Sequence, residues 1–355
     1  MKAAAVAAVA TAFAWLLLRA ESQTSISLLL LLAVAAGVAA ARLRFRLSGP
    51  SVLAFAAVAV LALLLREDDF SLLLLTRILI VVVACLGLNV QFGYAGVVNF
   101  AGASFFGVGG YTAAILAPRL PHLLVLLLGG AAAALVGSIL ILPVLRTRGH
   151  YAALVTIAFA LLFRTFLEVN DTLGGPQGLK LPELVIGPFH FNDPVFDASF
   201  YLRYVALGLV LAALALGVVQ RLERSWIGVA LDAVRLDEIA AASFGLSIAR
   251  WKIAAFTIGN FITGVAGALS AFMIGFIAPN NYAFSESLIL VSILLLGGIG
   301  NPWGLALASA IVIVLPEKLQ TIQEYRFLIF AAVVILILLF RPAGLLPRPL
   351  RRLKT

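Results

Sequence analysis

Asn89, Gln91 and Asn99 are three carboxamides set in a glycine-rich apolar stretch, residues 86–111, which reads LGLNVQFGYAGVVNFAGASFFGVGGY. Glycine costs a helix about 1 kcal/mol relative to alanine, so this density of glycine calls for a compensating gain. Two gains are available. Small residues let helices approach closely, and Gly93-Tyr94-Ala95-Gly96 is of that kind. An interrupted helix also exposes backbone groups where a polar solute is to be held at membrane depth. Each buried amide needs a hydrogen-bond partner. Asn89, Gln91, Tyr94, Asn99 and Gly102 are therefore the candidates for lining a polar pathway, with close packing the weightier reading of any one of them.

Other polar groups are sparse. Arg77 and Arg164 lie inside or near the ends of apolar runs, where a cation snorkels to the interface or lines a polar cavity. Glu168 stands at helical spacing from Arg164 and can pair with it. His122, His150 and His190 follow no metal-ligand spacing, and no metal site is expected. The lone Cys85 sits in an apolar run as a small hydrophobe. The chain contains no phosphate-binding Gly-x-x-x-x-Gly-Lys-Ser/Thr loop, no Gly-x-Ser-x-Gly elbow and no His-Glu-x-x-His. No row of intramembrane carboxylates suggests a proton relay.

The elements that position these residues are membrane helices. Hydrophobic residues make up 63% of the 355 and charged residues 12%, with a mean hydropathy of +1.13. A soluble domain carries about 45–50% apolar and about 25% charged residues, so a bilayer is the solvent that suits this chain. Its formal charge of +9 lies in short loops and tails, which excludes a nucleic-acid-binding face.

Apolar segments fall near residues 3–18, 26–41, 51–65, 71–90, 92–117, 123–145, 151–167, 201–219, 253–277, 288–300, 303–315 and 327–340. At about 20 residues per crossing, these give an all-α, polytopic bundle of about ten to twelve helices, some broken or re-entrant. The first segment reads as a retained helix, because Arg19-Ala20-Glu21 is a poor cleavage site.

Cations mark four loops as cytoplasmic: Arg42, Arg44 and Arg46; Arg146 and Arg148; Arg221, Arg224, Arg235, Arg250 and Lys252; and the tail at 341–355. The alternate loops are acidic or mixed. With residues 92–117 counted as one crossing, both termini fall inside. The chain reads as a single transmembrane domain over 1–355, with N-terminal helices at 1–70 and a core at 71–345. It carries an external loop at 168–200, a cytoplasmic helical loop at 220–252 and a basic cytoplasmic tail at 341–355. In that helical loop, Ser243-Phe244-Gly245 reads as a helix stop and turn.

Residues 86–111 resemble the signature of the branched-chain amino acid permeases of ABC importers, the LivM type. Four further pieces are similar to motifs of that family, in order along the chain: Leu173-Gly174-Gly175-Pro176-Gln177-Gly178-Leu179; Asp237 to Gly245 followed by Arg250-Trp251-Lys252; Leu296 to Gly304; and Arg341-Pro342-Ala343-Gly344-Leu345-Leu346. Gly102 stands where many relatives carry histidine. In the importer pattern Glu-Ala-Ala-x-x-x-Gly, Ile239 falls at the glutamate position and Glu238 one place before it.

The resemblance implies a permease subunit of an importer in the bacterial cytoplasmic membrane, moving branched-chain or related amino acids. It implies a second, LivH-like permease, a periplasmic or tethered binding protein, and two ATPase subunits that hold the ATP and magnesium. This chain itself would hold no cofactor and be no enzyme. Asp237, Glu238, Ile239, Ala240, Ala241 and Gly245 would form the coupling helix on the ATPase. The alternatives are a permease of the same family for urea or short amides, and a stand-alone channel or ion-coupled carrier.

Overall fold

The computed structural model describes residues 49–65, 68–146, 151–187, 189–191, 200–318, 331–332, 335 and 339–348. The expected segments at 3–18 and 26–41, the cations Arg42, Arg44, Arg46 and Arg148, and most of the segment at 327–340 lie outside the described residues.

The described helices are α1 (Gly49–Leu64), α2 (Asp69–Asn89), α3 (Gly102–Leu116), α4 (His122–Arg146), α5 (Tyr151–Val169) and α6 (Tyr201–Arg224). They continue with α7 (Trp226–Leu236), α8 (Glu238–Ser243), α9 (Ile248–Ile274), α10 (Phe284–Gly297) and α11 (Pro302–Lys318). A π-helical turn, Val90–Tyr94, extends α2. Among the described residues six helical stretches are long and apolar enough to cross a bilayer: Asp69–Tyr94, His122–Leu145, Tyr151–Val169, Tyr201–Arg224, Ile248–Ile274 and Pro279–Gly297. Three shorter apolar helices accompany them. The chain is thus an all-α, polytopic membrane protein. The stretch 92–117, expected as one crossing, is divided: its start closes α2, and α3 with 15 residues is too short to span about 30 Å of hydrocarbon at about 1.5 Å per residue.

The described residues fall into two compact units, one within Met1–Leu79 and His190–Arg221, the other within Ile80–Phe189 and Leu222–Thr355. In the first, Asp68 caps α2 by accepting from Phe70 N and Ser71 N, each at 3.1 Å. Gln220 of α6 donates to Ser51 Oγ of α1 at 3.1 Å.

The second unit is built on α3, α4 and α9, which meet through small residues. A Cβ on Gly109 of α3 would lie 2.0 Å from the Gly264 carbonyl of α9, and one on Gly267 would lie 1.8 Å from the Phe106 carbonyl. Only glycine permits this backbone-to-backbone approach. Phe105 fills the neighbouring space, edge-on to Phe256 at 5.7 Å and stacked on Phe159 at 5.4 Å. At the far end of α9, strand β1 (Leu179–Lys180) pairs antiparallel with β4 (Phe276–Ile277), tying the loop after α5 to the end of α9. Two further two-residue strands, β2 (Val185–Ile186) and β3 (Phe189–His190), lie in that loop, and Val185 N donates to His122 Nδ1 at 2.8 Å. The expected external loop thus has structure of its own. Leu135, Ile139 and Leu142 of α4 and Leu154, Leu161, Leu162 and Phe166 of α5 are exposed, a surface that suits lipid and not water.

Candidate functional site

The second unit contains a helix break at its centre. After the π turn the backbone runs irregularly from Ala95 to Ala101 before α3 begins. Such a break leaves buried donors and acceptors that must be matched, and side chains from four elements match them. Phe100 N donates to Thr156 Oγ1 of α5 at 3.0 Å, Ala101 N to Asn99 Oδ1 at 2.8 Å, and Ala103 N to Ser287 Oγ of α10 at 3.0 Å. Asn99 Nδ2 donates to Gln91 Oε1 at 2.7 Å, and Gln91 Nε2 donates to Asn260 Oδ1 of α9 at 2.8 Å.

A second branch starts at Asn89. Its Oδ1 accepts from Gly300 N at 2.8 Å, in the loop between α10 and α11, and Tyr94 OH lies 3.4 Å from the Gly300 carbonyl. The sequence candidates Asn89, Gln91, Tyr94 and Asn99 are therefore brought together, all buried. Gly102 is buried at the start of α3 among apolar groups: a Cβ there would lie 2.9 Å from Leu88 Cδ1 and 3.4 Å from Leu290 Cδ1. The amides of Asn89 and Asn260 each retain a buried Nδ2 with no acceptor among the described residues. Space at Asn260 is tight, since a Cβ on Gly137 would lie 2.2 Å from its Nδ2. Chemically this is a neutral polar relay, able to orient helices or hydrogen-bond a polar solute and carrying no group that titrates near neutral pH.

Reading the sequence alone missed Asn260, Thr156, Ser287, Asp232 and Arg348. Asn260 carried the same signal as Asn89, a lone amide in an apolar run. Arg348 lies in the stretch that reads as a basic tail. Instead its guanidinium forks onto Asp232 of α7, with Nη1–Oδ1 2.7 Å and Nη2–Oδ2 3.0 Å, and lies 4.4 Å from the centre of the Tyr94 ring. Burial alone would lower its pKa, but the hydrogen bond and charge of Asp232, with Tyr94 and Glu223 adding, raise it above its ordinary value. The cation is permanent.

A distinct feature is α8. Asp237 caps it, its Oδ1 accepting from Ile239 N at 2.9 Å and Ala240 N at 3.0 Å. Glu238 is anchored by Lys252 of α9, with Nζ–Oε1 2.5 Å. Gly245 follows at φ +80°, the left-handed conformation expected of the turn. Ala241 packs inward, whereas Ile239 and Phe244 are 85% and 87% exposed. Ala240 is half-buried.

Arg164 and Glu168 pair as their spacing suggests, at 2.8 Å, and Arg164 also donates to Asn280 at 3.0 Å. Arg77 is exposed on α2. Cys85 is buried and free.

The permease component of the branched-chain amino acid transport system, as a family, matches residues 70–339. The high-affinity branched-chain amino acid transport system permease protein LivM of Salmonella typhimurium is 35% identical over 302 residues, which cover 79% of this chain and 71% of that protein. LivM of Escherichia coli is 35% identical over 301 residues, with the same coverage. The E. coli permease protein LivH of the same description is 26% identical over 287 residues, covering 74% of this chain and 90% of LivH. No solved structure matches. An apolar helical bundle with a glycine-lined core and an internal helix break, matched along most of its length by these transport proteins, belongs to the family of branched-chain amino acid transport system permease components.

Proposed function

We propose that this chain is one of two permease subunits of an ATP-driven importer of branched-chain amino acids in the bacterial cytoplasmic membrane, with its termini cytoplasmic. Its likeness to both LivM and LivH supports a second, homologous permease as partner. A binding protein delivers substrate at the external loop 168–200, and two ATPase subunits, holding ATP and magnesium, dock below the segment 220–252. The core at 71–345 carries the pathway, and the break at Asn89, Gln91, Tyr94, Asn99 and Gly102 lies along it.

The observation that carries the ATP-driven reading is α8. An exposed apolar pair, Ile239 on a capped and anchored helix of six residues and Phe244 just after it, is costly unless covered by a partner. A rigid element of this kind suits the transfer of nucleotide-driven movement, with Asp237, Glu238, Ile239, Ala240, Ala241 and Gly245 forming it.

The test is co-purification of the tagged chain in mild detergent, followed by reconstituted uptake. An ATPase and a second permease should travel with it, and leucine, isoleucine and valine should compete for uptake. Competition by urea alone would remove the amino-acid assignment, and transport by the isolated chain would replace the importer by a carrier.

A further inference from the structure

The proposed function leaves Arg348 without a role, although three separate pieces of the chain meet on its side chain. The first is α7, through Asp232, with Glu223 at the end of α6 also 3.8 Å from Arg348 Nε. The second is the helix break: the guanidinium lies 4.4 Å from the Tyr94 ring centre, and Nη1 is 3.5 Å from the Gly93 carbonyl. The third is the loop between α10 and α11, where a Cβ on Gly300 would lie 2.6 Å from Arg348 Cδ.

The backbone around Arg348 is itself fixed. Leu345 N donates to the Leu296 carbonyl at 2.8 Å and Leu346 N to that of Gly297 at 3.2 Å. A cation serving only to set topology would be solvated, yet the Arg348 side chain is 10% exposed and that of Asp232 18%. A forked guanidinium–carboxylate pair is directional, and separating it out of water leaves two uncompensated charges. Helix α7 passes into α8 through Asp237 alone. A shift of α8 that carries α7 with it therefore either drags Arg348 or breaks the pair, and Arg348 bears directly on Tyr94 and on the loop that Asn89 holds through Gly300.

We propose that Arg348 is a positioning residue that transmits movement of α7 and α8 to the helix break, so that the Asp232–Arg348–Tyr94 contact sets the conformation of the break in step with the ATPase. The source of the movement rests on the proposed function above.

The test uses the full importer carrying Arg348→Ala, Arg348→Lys or Asp232→Asn, with Arg341→Ala as an exposed control on the same tail. Arg348→Ala should keep the ATPase subunits bound and hydrolysing ATP, while uptake per ATP falls about tenfold; Arg348→Lys, which keeps the charge without the fork, should fall between. A merely structural clamp would lower the yield of complex and leave uptake per ATP unchanged, and that result would overturn the proposal. Hydrogen exchange on the full-length chain alone provides a readout that needs no ATPase. Arg348→Ala and Asp232→Asn should both raise exchange at residues 93–98 and 230–236 together. A rise in one segment without the other would break the link. Should the wild-type complex show no ATP-dependent uptake, the importer reading fails, and the exchange data still decide whether Arg348 joins the two segments.

Discussion

Gln91 uses both ends of its carboxamide: Nε2 donates to Asn260 Oδ1 at 2.8 Å, and Oε1 accepts from Asn99 Nδ2 at 2.7 Å. One side chain in the π turn thereby joins α9 to the segment that starts α3. Removing one partner of a buried pair leaves the other unsatisfied, at about 1–3 kcal/mol, whereas removing both costs less than the sum. Gln91→Leu and Asn260→Leu should each lower the thermal midpoint of the detergent-purified chain, and the double variant should lose less than the two losses added. Strict additivity would show that the pair is not coupled.

The glycines differ in what they tolerate. At Gly267 a methyl would meet the Phe106 carbonyl at 1.8 Å, and backbone cannot swing aside as a side chain can. Gly267→Ala should cost about 1–3 kcal/mol through overpacking and reduce the folded yield from membranes. At Gly208 the nearest atoms to an added methyl belong to the Leu79 side chain, from 3.3 Å, a contact that a shift of a few tenths of an ångström relieves, and alanine there gains about 1 kcal/mol of helix propensity. Fluorescence size-exclusion of the two variants should separate them clearly; equal losses would refute the close-contact account.

Hydropathy made the membrane class and the positions of most described helices legible in the sequence, and glycine density marked residues 86–111 as a stretch where a helix could be interrupted, because each follows from local composition. Asn89, Gln91, Tyr94 and Asn99 were found by the same local signal, a polar group amid glycine and apolar residues. Asn260 was missed because its pairing with Gln91 spans 169 positions of sequence, and no local pattern encodes it. Arg348 was misread for a related reason: in sequence it is one cation of a basic tail, and only the fold brings Asp232 to it. The division of 92–117 was hidden because an irregular segment with its donors satisfied by Thr156 and Ser287 has the same apolar composition as a helix.

Helix α8 is too short to hold itself, since a helix of six residues is far below the length at which helices persist unaided. Asp237 is then worth more to α8 than to the protein. Asp237→Ala removes a cap worth about 1 kcal/mol, so global unfolding should scarcely move while exchange at residues 238–243 rises and ATPase co-purification weakens. Asp237→Ser, which can still accept from Ile239 N and Ala240 N, should restore both. Failure of serine to rescue would mean that the charge of Asp237, and not its cap, is what the partner needs.

The turn after α8 offers the sharpest separation of folding from coupling. Gly245 sits at φ +80°, and its N donates to the Ala242 carbonyl at 2.9 Å. Proline fixes φ near about −65° and has no N–H, so Gly245→Pro must undo the turn that sets the direction of α8 relative to α9. Glu238→Lys acts at the other end of α8, placing an ammonium beside Lys252 in place of the carboxylate that now pairs with it. The pair is open to solvent on the Glu238 side, where ion pairs contribute about 1 kcal/mol or less, and nothing lies within 4 Å of a Cβ at Gly245, so both changes act at the surface. Both variants should reach the membrane in wild-type amounts and lose most ATP-dependent uptake, measured in vesicles against ATP hydrolysed. Wild-type uptake in both would remove α8 as the coupling element, because the two changes disturb it from opposite ends.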